Sequence, residues 1–333
     1  MKTLQEALKE IKPAIGNNSE FSTCALLETH LSGSNEFFYM RIPVESLGHN
    51  LLLPYLEFFQ VVGEDMQISE TPIQIHIKTG KNQIAKLGKP NFPKYYDYLK
   101  SLSLFIDQMD IEDWVDLDES FMEAFAFCCV TTNKSSDFTS LFCINVREDR
   151  MSSTDGFRMS QAFVETNTLP FLLPNYTLSI LKKLSVKQVK LVEGWILFKN
   201  EEDVILGVHE VQGKFPNTDE FFQEKYDQSF IVPQGLREFA STFEAVSKPD
   251  MDFGVDEIRL SLEFLDGELR CFGKTLKGQF ARRFPIKGLG KYPTIQVNPF
   301  YFLSSVQDGL KVSVKPKSIL FQTKNFSRIL KTY

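Results

Sequence analysis

The chain has 333 residues, 43% of them apolar with 31 Phe, and a formal net charge of −6. That length suits two or three domains with packed cores, and no apolar run approaches the roughly 20 residues of a membrane-spanning helix. The negative balance excludes a protein coated in nucleic-acid-binding surface, and Met1-Lys2-Thr3-Leu4-Gln5-Glu6 lacks the apolar core of a signal peptide, so a cytoplasmic protein without membrane contact is predicted.

Residues 2–12 predict an amphipathic helix, because Leu4, Ala7, Leu8 and Ile11 share a face and Pro13 and Gly16 stop it. Strand-like runs follow at 23–31 and 36–44. Leu51-Leu52-Leu53-Pro54 then leads into a second helix from Tyr55 to Val62, with Pro in its first turn. Alternation returns in Ile73 to Lys78, Thr79-Gly80-Lys81-Asn82 makes a hairpin, and Asn91-Phe92-Pro93 closes the unit.

The same order recurs. A helix is predicted from Leu117 to Val130 with Asp118 as its cap, then strands on either side of Asp155-Gly156. Leu172-Leu173-Pro174 leads into a helix from Tyr176 to Leu184, hairpins follow at Glu193-Gly194 and Asn200-Glu201, and Lys214-Phe215-Pro216 echoes the earlier Phe-Pro. A third round starts at Val232-Pro233 with a helix from Gln234 to Val246. Strands at 257–264 and 268–274 flank Asp266-Gly267, Val297-Asn298-Pro299 starts a helix from Phe300 to Val306, and strands at 311–315 and 318–321 follow.

The three helix-start prolines, Pro54, Pro174 and Pro299, lie 120 and 125 residues apart. Self-similarity at a domain-sized period predicts three copies of one α+β module, with boundaries at 1–108, 109–224 and 225–333. Charge is uneven among them. Residues 1–110 carry 10 basic and 13 acidic side chains, 111–224 carry 10 and 19, and 225–333 carry 17 and 11. A basic last third either contacts phosphate or attracts an acidic part of another copy.

The informative stretch lies mid-chain, at Ser152-Ser153-Thr154-Asp155-Gly156-Phe157-Arg158-Met159-Ser160. Asp-Gly alone means a tight turn. Thr before it, an aromatic after it, then Arg and a long apolar residue make a string that resembles the second-domain signature of the bacterial sliding clamp, the beta subunit of DNA polymerase III. Phe92-Pro93, Lys214-Phe215-Pro216 and Val297-Asn298-Pro299-Phe300-Tyr301-Phe302-Leu303 resemble other motifs of that family, in the same order and on the same repeat.

The resemblance covers the whole chain and implies three clamp domains, helices inside and antiparallel sheets outside, closing as a head-to-tail homodimeric ring around duplex DNA. It further implies a non-catalytic processivity factor without cofactor or metal, placed on DNA by a clamp loader. Replicative polymerase would dock at an apolar groove in the second domain, carried over to Phe142 (read as a strand residue), Thr154, Gly156, Phe157, Arg158, Met159 and Pro174, with the tail residues Ile329, Leu330 and Tyr333 as its rim. For DNA it points to the helices, with Lys2, Lys9, Lys12, Lys182, Lys183, Lys187, Arg237 and Lys248 as candidates. Two departures mark a divergent member, such as a viral or plasmid-encoded clamp. Gln223 stands where the family often has Pro, and the tail is polar-aromatic. Asp118, Glu119 and Glu123 also do not suit a basic lining.

Catalytic readings find little support. Gly273-Lys274-Thr275 resembles the end of a phosphate loop, but Glu268 stands where its first Gly is needed. His30, His49, His76 and His209 are scattered, and no Gly-x-Ser-x-Gly elbow occurs. The five cysteines, Cys24, Cys128, Cys129, Cys143 and Cys271, lack zinc-ligand spacing and read as core thiols. The alternative to a clamp is a non-ring DNA-binding or replication scaffold with the same triplicated fold.

Overall fold

The first helix is set by its cap. In the computed structural model of the chain, which describes residues 2–333 apart from 64–65, 81–82, 110–112, 134–138, 193, 253–257, 277 and 288–289, Thr3 Oγ1 accepts from the Glu6 amide at 3.3 Å. Glu6 Oε2 in turn accepts from the Thr3 amide at 3.0 Å, completing a capping box worth about 1 kcal/mol. Helix α1 (Leu4–Ile11) then buries Leu4, Ala7, Leu8 and Ile11.

Strands β1 (Thr23–Leu27), β2 (His30–Ser34), β3 (Phe38–Pro43) and β4 (Leu51–Pro54) follow. The predicted strand over 23–31 is therefore two strands, separated by a turn at Glu28-Thr29. Pro54, at a ψ of 106°, caps α2 (Tyr55–Val61) rather than lying in its first turn. Next come β5 (Gln67–Glu70), β6 (Gln74–Thr79) and β7 (Gln83–Gly88); Lys81 and Asn82 of the predicted hairpin lie outside the described residues.

Pro93 does not close a unit. It occupies the first position of α3 (Pro93–Asp107), where its missing N–H costs nothing. Beyond lie β8 (Val115–Asp116) and α4 (Phe121–Cys129). That helix starts four residues later than expected, with Ser120 at its cap position, so Asp118 precedes it. Strands β9 (Cys143–Arg147), β10 (Arg150–Thr154), β11 (Arg158–Phe163) and β12 (Phe171–Pro174) repeat the order of the first four.

Helix α5 (Leu178–Leu184) precedes β13 (Gln188–Val192), β14 (Trp195–Lys199) and β15 (Ile205–His209), with Glu193 of the predicted hairpin outside the described residues. The remainder is α6 (Asp219–Phe222), β16 (Gln228–Ile231), α7 (Leu236–Asp252), β17 (Leu260–Leu265), β18 (Glu268–Thr275) and β19 (Gly278–Pro285). It ends with β20 (Tyr292–Val297), α8 (Pro299–Leu303), β21 (Lys311–Lys315), β22 (Ser318–Gln322) and β23 (Phe326–Lys331).

These elements form two compact units. The first comprises residues 1–119, 167–169 and 176–210. Its main sheet runs β4-β1-β2-β3-β15-β14-β13-β8, all antiparallel where paired, beside a three-stranded sheet β5-β6-β7. Strand β1 is buried along its whole length because both faces are covered. Ala25 and Leu27 face a core shared with Tyr95, Leu99 and Ile106 of α3, and the alternate residues Cys24 and Leu26 point the other way. The Tyr95 hydroxyl pins α3 to β2, donating to Ser34 O at 2.6 Å and accepting from Ser34 N at 3.1 Å. Each large apolar side chain so buried contributes about 1.5–3 kcal/mol.

The second unit comprises residues 120–166, 170–175 and 211–333. Its main sheet, β12-β9-β10-β11-β23-β22-β21-β16, has the same connection pattern as that of the first unit, beside a four-stranded sheet β19-β18-β17-β20. Gly273 on β18 is needed for close approach: a Cβ there would lie 2.2 Å from the Phe243 ring of α7, which is wholly buried. The Gly-Lys-Thr string therefore sits in a strand against a helix, not in a phosphate loop.

Each main sheet is stapled by an aspartate. In the first unit Asp107, at the end of α3, pairs with buried Arg41 of β3, which also donates to the His30 ring at 2.6 Å. In the second, Asp219 of α6 takes Arg147 through two bonds at 2.9 and 2.7 Å and Gln161 of β11 at 3.0 Å. Cys24, Cys128, Cys143 and Cys271 are buried thiols, and Cys129 is half-buried.

Candidate functional site

The Asp-Gly turn joins β10 to β11 in the second unit, with Thr154 and Met159 paired across it. Thr154 is buried and serves the turn itself, its hydroxyl donating to Arg158 O at 2.8 Å and accepting from Gly156 N at 3.1 Å. Gly156 has φ +86°, a left-handed conformation that favours glycine. Asp155 Oδ1 accepts the amides of Phe157 and Arg158 at 3.0 and 2.7 Å, while Oδ2 accepts Arg158 Nε and Nη2 at 2.9 and 2.7 Å. One carboxylate thus fixes both the backbone and the guanidinium, and Phe157 stands out from the turn, 46% exposed.

Helix α8 supplies the facing wall. Asn298 Oδ1 accepts from Phe300 N at 3.0 Å and Tyr301 N at 3.3 Å, so the Asn-Pro start fixes where Tyr301 projects. Its ring lies 6.1 Å from that of Phe157 and 4.2 Å beneath the Arg158 guanidinium, which also donates to Ser304 Oγ at 3.1 Å. Burial first, then the Asp155 charge, push the Tyr301 phenol above its ordinary value. The chain end closes the site. Lys331 N donates to Phe157 O at 2.9 Å, Tyr333 N donates to Gln296 O at 3.0 Å, and Arg259 stacks on the Tyr333 ring at 3.6 Å. Aromatic faces, an oriented arginine and a pinned tail are the ingredients of an anchor site for a short peptide.

The expected groove residues divide accordingly. Phe157 and Arg158 line this surface and half-exposed Tyr333 flanks it, whereas half-buried Met159, next to Arg158 in β11, takes the other face of the strand. Ile329 and Leu330 are core rather than rim: they pair with Met159 and Arg158 inside the sheet and are 5% and 0% exposed. Pro174 is buried at the end of β12, paired with Cys143. Phe142 ends a 3-10 turn before β9 rather than lying in a strand, and is half-buried. Tyr301, Ser304, Lys331 and Arg259 were not assigned from the sequence. For Tyr301 the signal was present in the Asn-Pro-Phe-Tyr stretch; for Arg259 there was none.

A second turn of the same build lies in the first unit. Asn35 Oδ1 accepts the amides of Phe37 and Phe38 at 2.9 and 2.8 Å between β2 and β3, as Asp155 does between β10 and β11. Phe37 is 51% exposed, and its ring lies 5.4 Å from that of Tyr176, just ahead of α5. Phe38 replaces the arginine there, and among the described residues no ion pair forms in the turn.

Among the basic candidates, Lys2 is already engaged by carboxylates. It is half-buried and paired with Glu10 and, at 2.7 Å, with Glu202. Lys9 and Lys12 near α1, Lys182 and Lys183 on α5, and Arg237 and Lys248 on α7 are exposed. Lys187 is exposed and lies 3.6 Å from Glu201. Glu119 and, on α4, Glu123 are both exposed, so α4 presents no basic face. Among the described residues no group of three or more His, Cys, Asp or Glu is placed to hold a metal ion, and no helix is long and apolar enough to cross a membrane.

No protein-family profile and no curated protein matches the sequence. Solved structures do match the fold. The chain superposes on a putative DNA polymerase III beta subunit from Eubacterium rectale with a TM-score of 0.79 at 13% identity, covering 99% of this chain and 97% of that one. The beta subunit from Streptococcus pyogenes gives 0.78 at 16%, with the same coverage. The beta clamp of Helicobacter pylori, solved bound to a DNA ligase peptide, gives 0.72 at 15%, again with that coverage. The chain has the α+β sliding-clamp fold.

Proposed function

We propose that a chain with this fold works as a sliding clamp, a non-catalytic processivity factor of the cytoplasm that encircles duplex DNA and tethers a polymerase. The observation that carries this reading is the Phe157–Arg158–Tyr301 surface, built by the Asp-Gly turn on a sliding-clamp fold. A linear motif with an apolar side chain and an acidic or carbonyl group would seat on the rings and on Arg158. Tethering raises the effective concentration of polymerase at the primer end without any bond chemistry.

Three modules, at about 1–108, 109–224 and 225–333, fit the repeated strand order of the two main sheets. The smaller sheets have open edges. Strand β19 is eight residues long and mostly exposed, and β7 carries Ile84 at 65% exposure. Pairing those edges between two copies would close a head-to-tail homodimer and bury both. Lys9, Lys12, Lys182, Lys183, Lys187, Arg237 and Lys248 would face the duplex, which carries one charge per about 1.7 Å of axis and needs no base-specific contact. Opening a closed ring would fall to a clamp loader.

The test is retention on a nicked circular plasmid before and after linearisation, with solution mass measured alongside. A dimer that stays on circles and leaves cut ends supports the clamp; a monomer, or equal retention on both forms, overturns it in favour of a non-ring scaffold. For docking, Phe157→Ala should abolish stimulation of the cognate polymerase while the dimer persists. Undiminished stimulation moves the docking surface elsewhere.

A further inference from the structure

The second unit contains a cavity of about 480 Å³ bounded by α4, α7, the residues after α8 and strands β22 and β23. None of the turn residues described above lines it, and of the rest of that site only Ser304 does. Arg328 of β23 forms part of its wall and is 4% exposed. Nε donates to Ser160 Oγ at 2.9 Å, Nη2 to Phe127 O at 2.8 Å and Nη1 to Ser304 O, and the guanidinium stacks 4.2 Å from the Phe127 ring. All three acceptors are neutral. No Asp or Glu among the described residues pairs with it, and Asp155 is already engaged by Arg158.

A guanidinium has five N–H donors, so two on Arg328 lack an acceptor among the described residues. A charge buried without a counter-ion is costly, and an anion beside it removes that cost. Burial holds the Arg328 guanidinium down to about 10, and it still carries its proton at neutral pH. Arg237 lines the same cavity, and Glu123 is its one acidic lining residue. The rest is largely apolar, with the Phe127 and Phe326 rings 4.9 Å apart. Ligand cavities of roughly 300–1,000 Å³ with an apolar lining and a few oriented polar groups are the usual form of small-molecule sites.

We infer that this cavity binds a small organic oxyanion, with a carboxylate or phosphate head on Arg328 and an apolar body against Phe326 and its neighbours. The charge pattern favours this occupant: one buried cation without a counter-ion and a second cation in the lining, against a single carboxylate. The site does not depend on ring formation or on polymerase docking.

Isothermal titration of the full chain with four probes tests it: phenyl phosphate, phenylacetate, 2-phenylethanol and inorganic phosphate. One or both aromatic anions should bind with unit stoichiometry, the neutral alcohol should not, and inorganic phosphate should bind more weakly. Which aromatic anion binds identifies the head group. Arg328→Met should weaken binding roughly tenfold to a hundredfold, the loss expected for a charge-assisted contact. Ala126→Phe, which fills the cavity from α4, should abolish binding and decides the matter if Arg328→Met does not fold. Failure of both aromatic anions to bind at millimolar concentration overturns the inference. So does binding that survives Ala126→Phe, or inorganic phosphate binding as tightly as phenyl phosphate.

Discussion

Replacing Asp155 separates the two tasks its carboxylate performs. Asp155→Ala removes the acceptor for two turn amides and for Arg158 Nε and Nη2. Both members of the pair are largely buried, with side-chain exposures of 9% for Asp155 and 12% for Arg158. Breaking a buried ion pair from one side costs about 3–5 kcal/mol, less here because Ser304 Oγ and the Tyr301 ring still hold the guanidinium. A loss of about 3 kcal/mol follows. Asp155→Asn keeps an oxygen for the two amides and loses only the charge, for about 1–2 kcal/mol. Asn35→Ala is the internal control: it removes the two equivalent amide bonds and the Nδ2 donation to Pro13 O at 2.8 Å, but no ion pair, and should cost about 1 kcal/mol. Native-state hydrogen exchange reads each unit separately. Asp155→Ala should speed exchange in β10, β11 and β23 by roughly a hundredfold, and Asn35→Ala should speed β2 and β3 by under tenfold. Equal effects of the two alanine variants would refute the assigned role of the ion pair.

Three further outcomes are expected. Burial and then the Arg41 charge hold the His30 imidazole down to about 4, against about 6.5 when unfolded. The folded state thus resists a proton that the unfolded state accepts, so this contribution to stability is complete above about pH 6.5 and is lost as pH falls toward about 4. Urea unfolding followed by Trp114 and Trp195, both in the first unit, should show this slope, and His30→Gln should flatten it; identical slopes would refute it. Gly273→Ala places a methyl against the Phe243 ring and should cost the second unit about 1–3 kcal/mol by hydrogen exchange, partly recovered by Phe243→Leu. Lys182→Glu with Lys183→Glu should lower retention on circular DNA at low salt, and unchanged retention would remove these lysines from a DNA-facing surface.

Much of the fold was legible because its local signals agree with its tertiary environment. The spacing of Leu4, Ala7, Leu8 and Ile11 predicts α1, and all four are buried. The prolines at 54, 174 and 299 mark three strand-to-helix junctions. Helix α3 was missed although Tyr95, Leu99 and Ile106 are spaced for one face, because Pro93 can stop a chain segment or begin a helix. Only packing against the sheet decides between the two. Lys2 failed as a DNA candidate for a similar reason: Glu10 is eight residues away and Glu202 two hundred, and periodicity carries no information about such partners.

The two turns show why the site was harder to read than its frame. Each joins strands paired one residue outside a four-residue loop, at Ser34 with Tyr39 and at Thr154 with Met159. Each has an Asx side chain holding two amides, and each places an exposed Phe beside a Tyr from a helix start. The frame therefore follows from strand register and one side-chain oxygen, which Asn and Asp supply equally. The chemistry differs chiefly in the charged pair: Asp155 and Arg158 in the second turn stand where the first has Asn35 and Phe38, and Gly156 stands where the first has Glu36. With phenylalanine the first turn offers rings alone. With arginine the second adds a cation whose position Asp155 sets at its N–H edge and Tyr301 from beneath. An apolar surface accepts many partners, whereas an oriented guanidinium rejects a segment that brings no acceptor to it. Asp155→Asn with Arg158→Phe should therefore convert the second turn into the likeness of the first, leaving the strands paired while the second unit's discrimination among acidic and neutral peptides is lost. Retained discrimination would show that selectivity lies in the tail at Lys331 and Tyr333 instead.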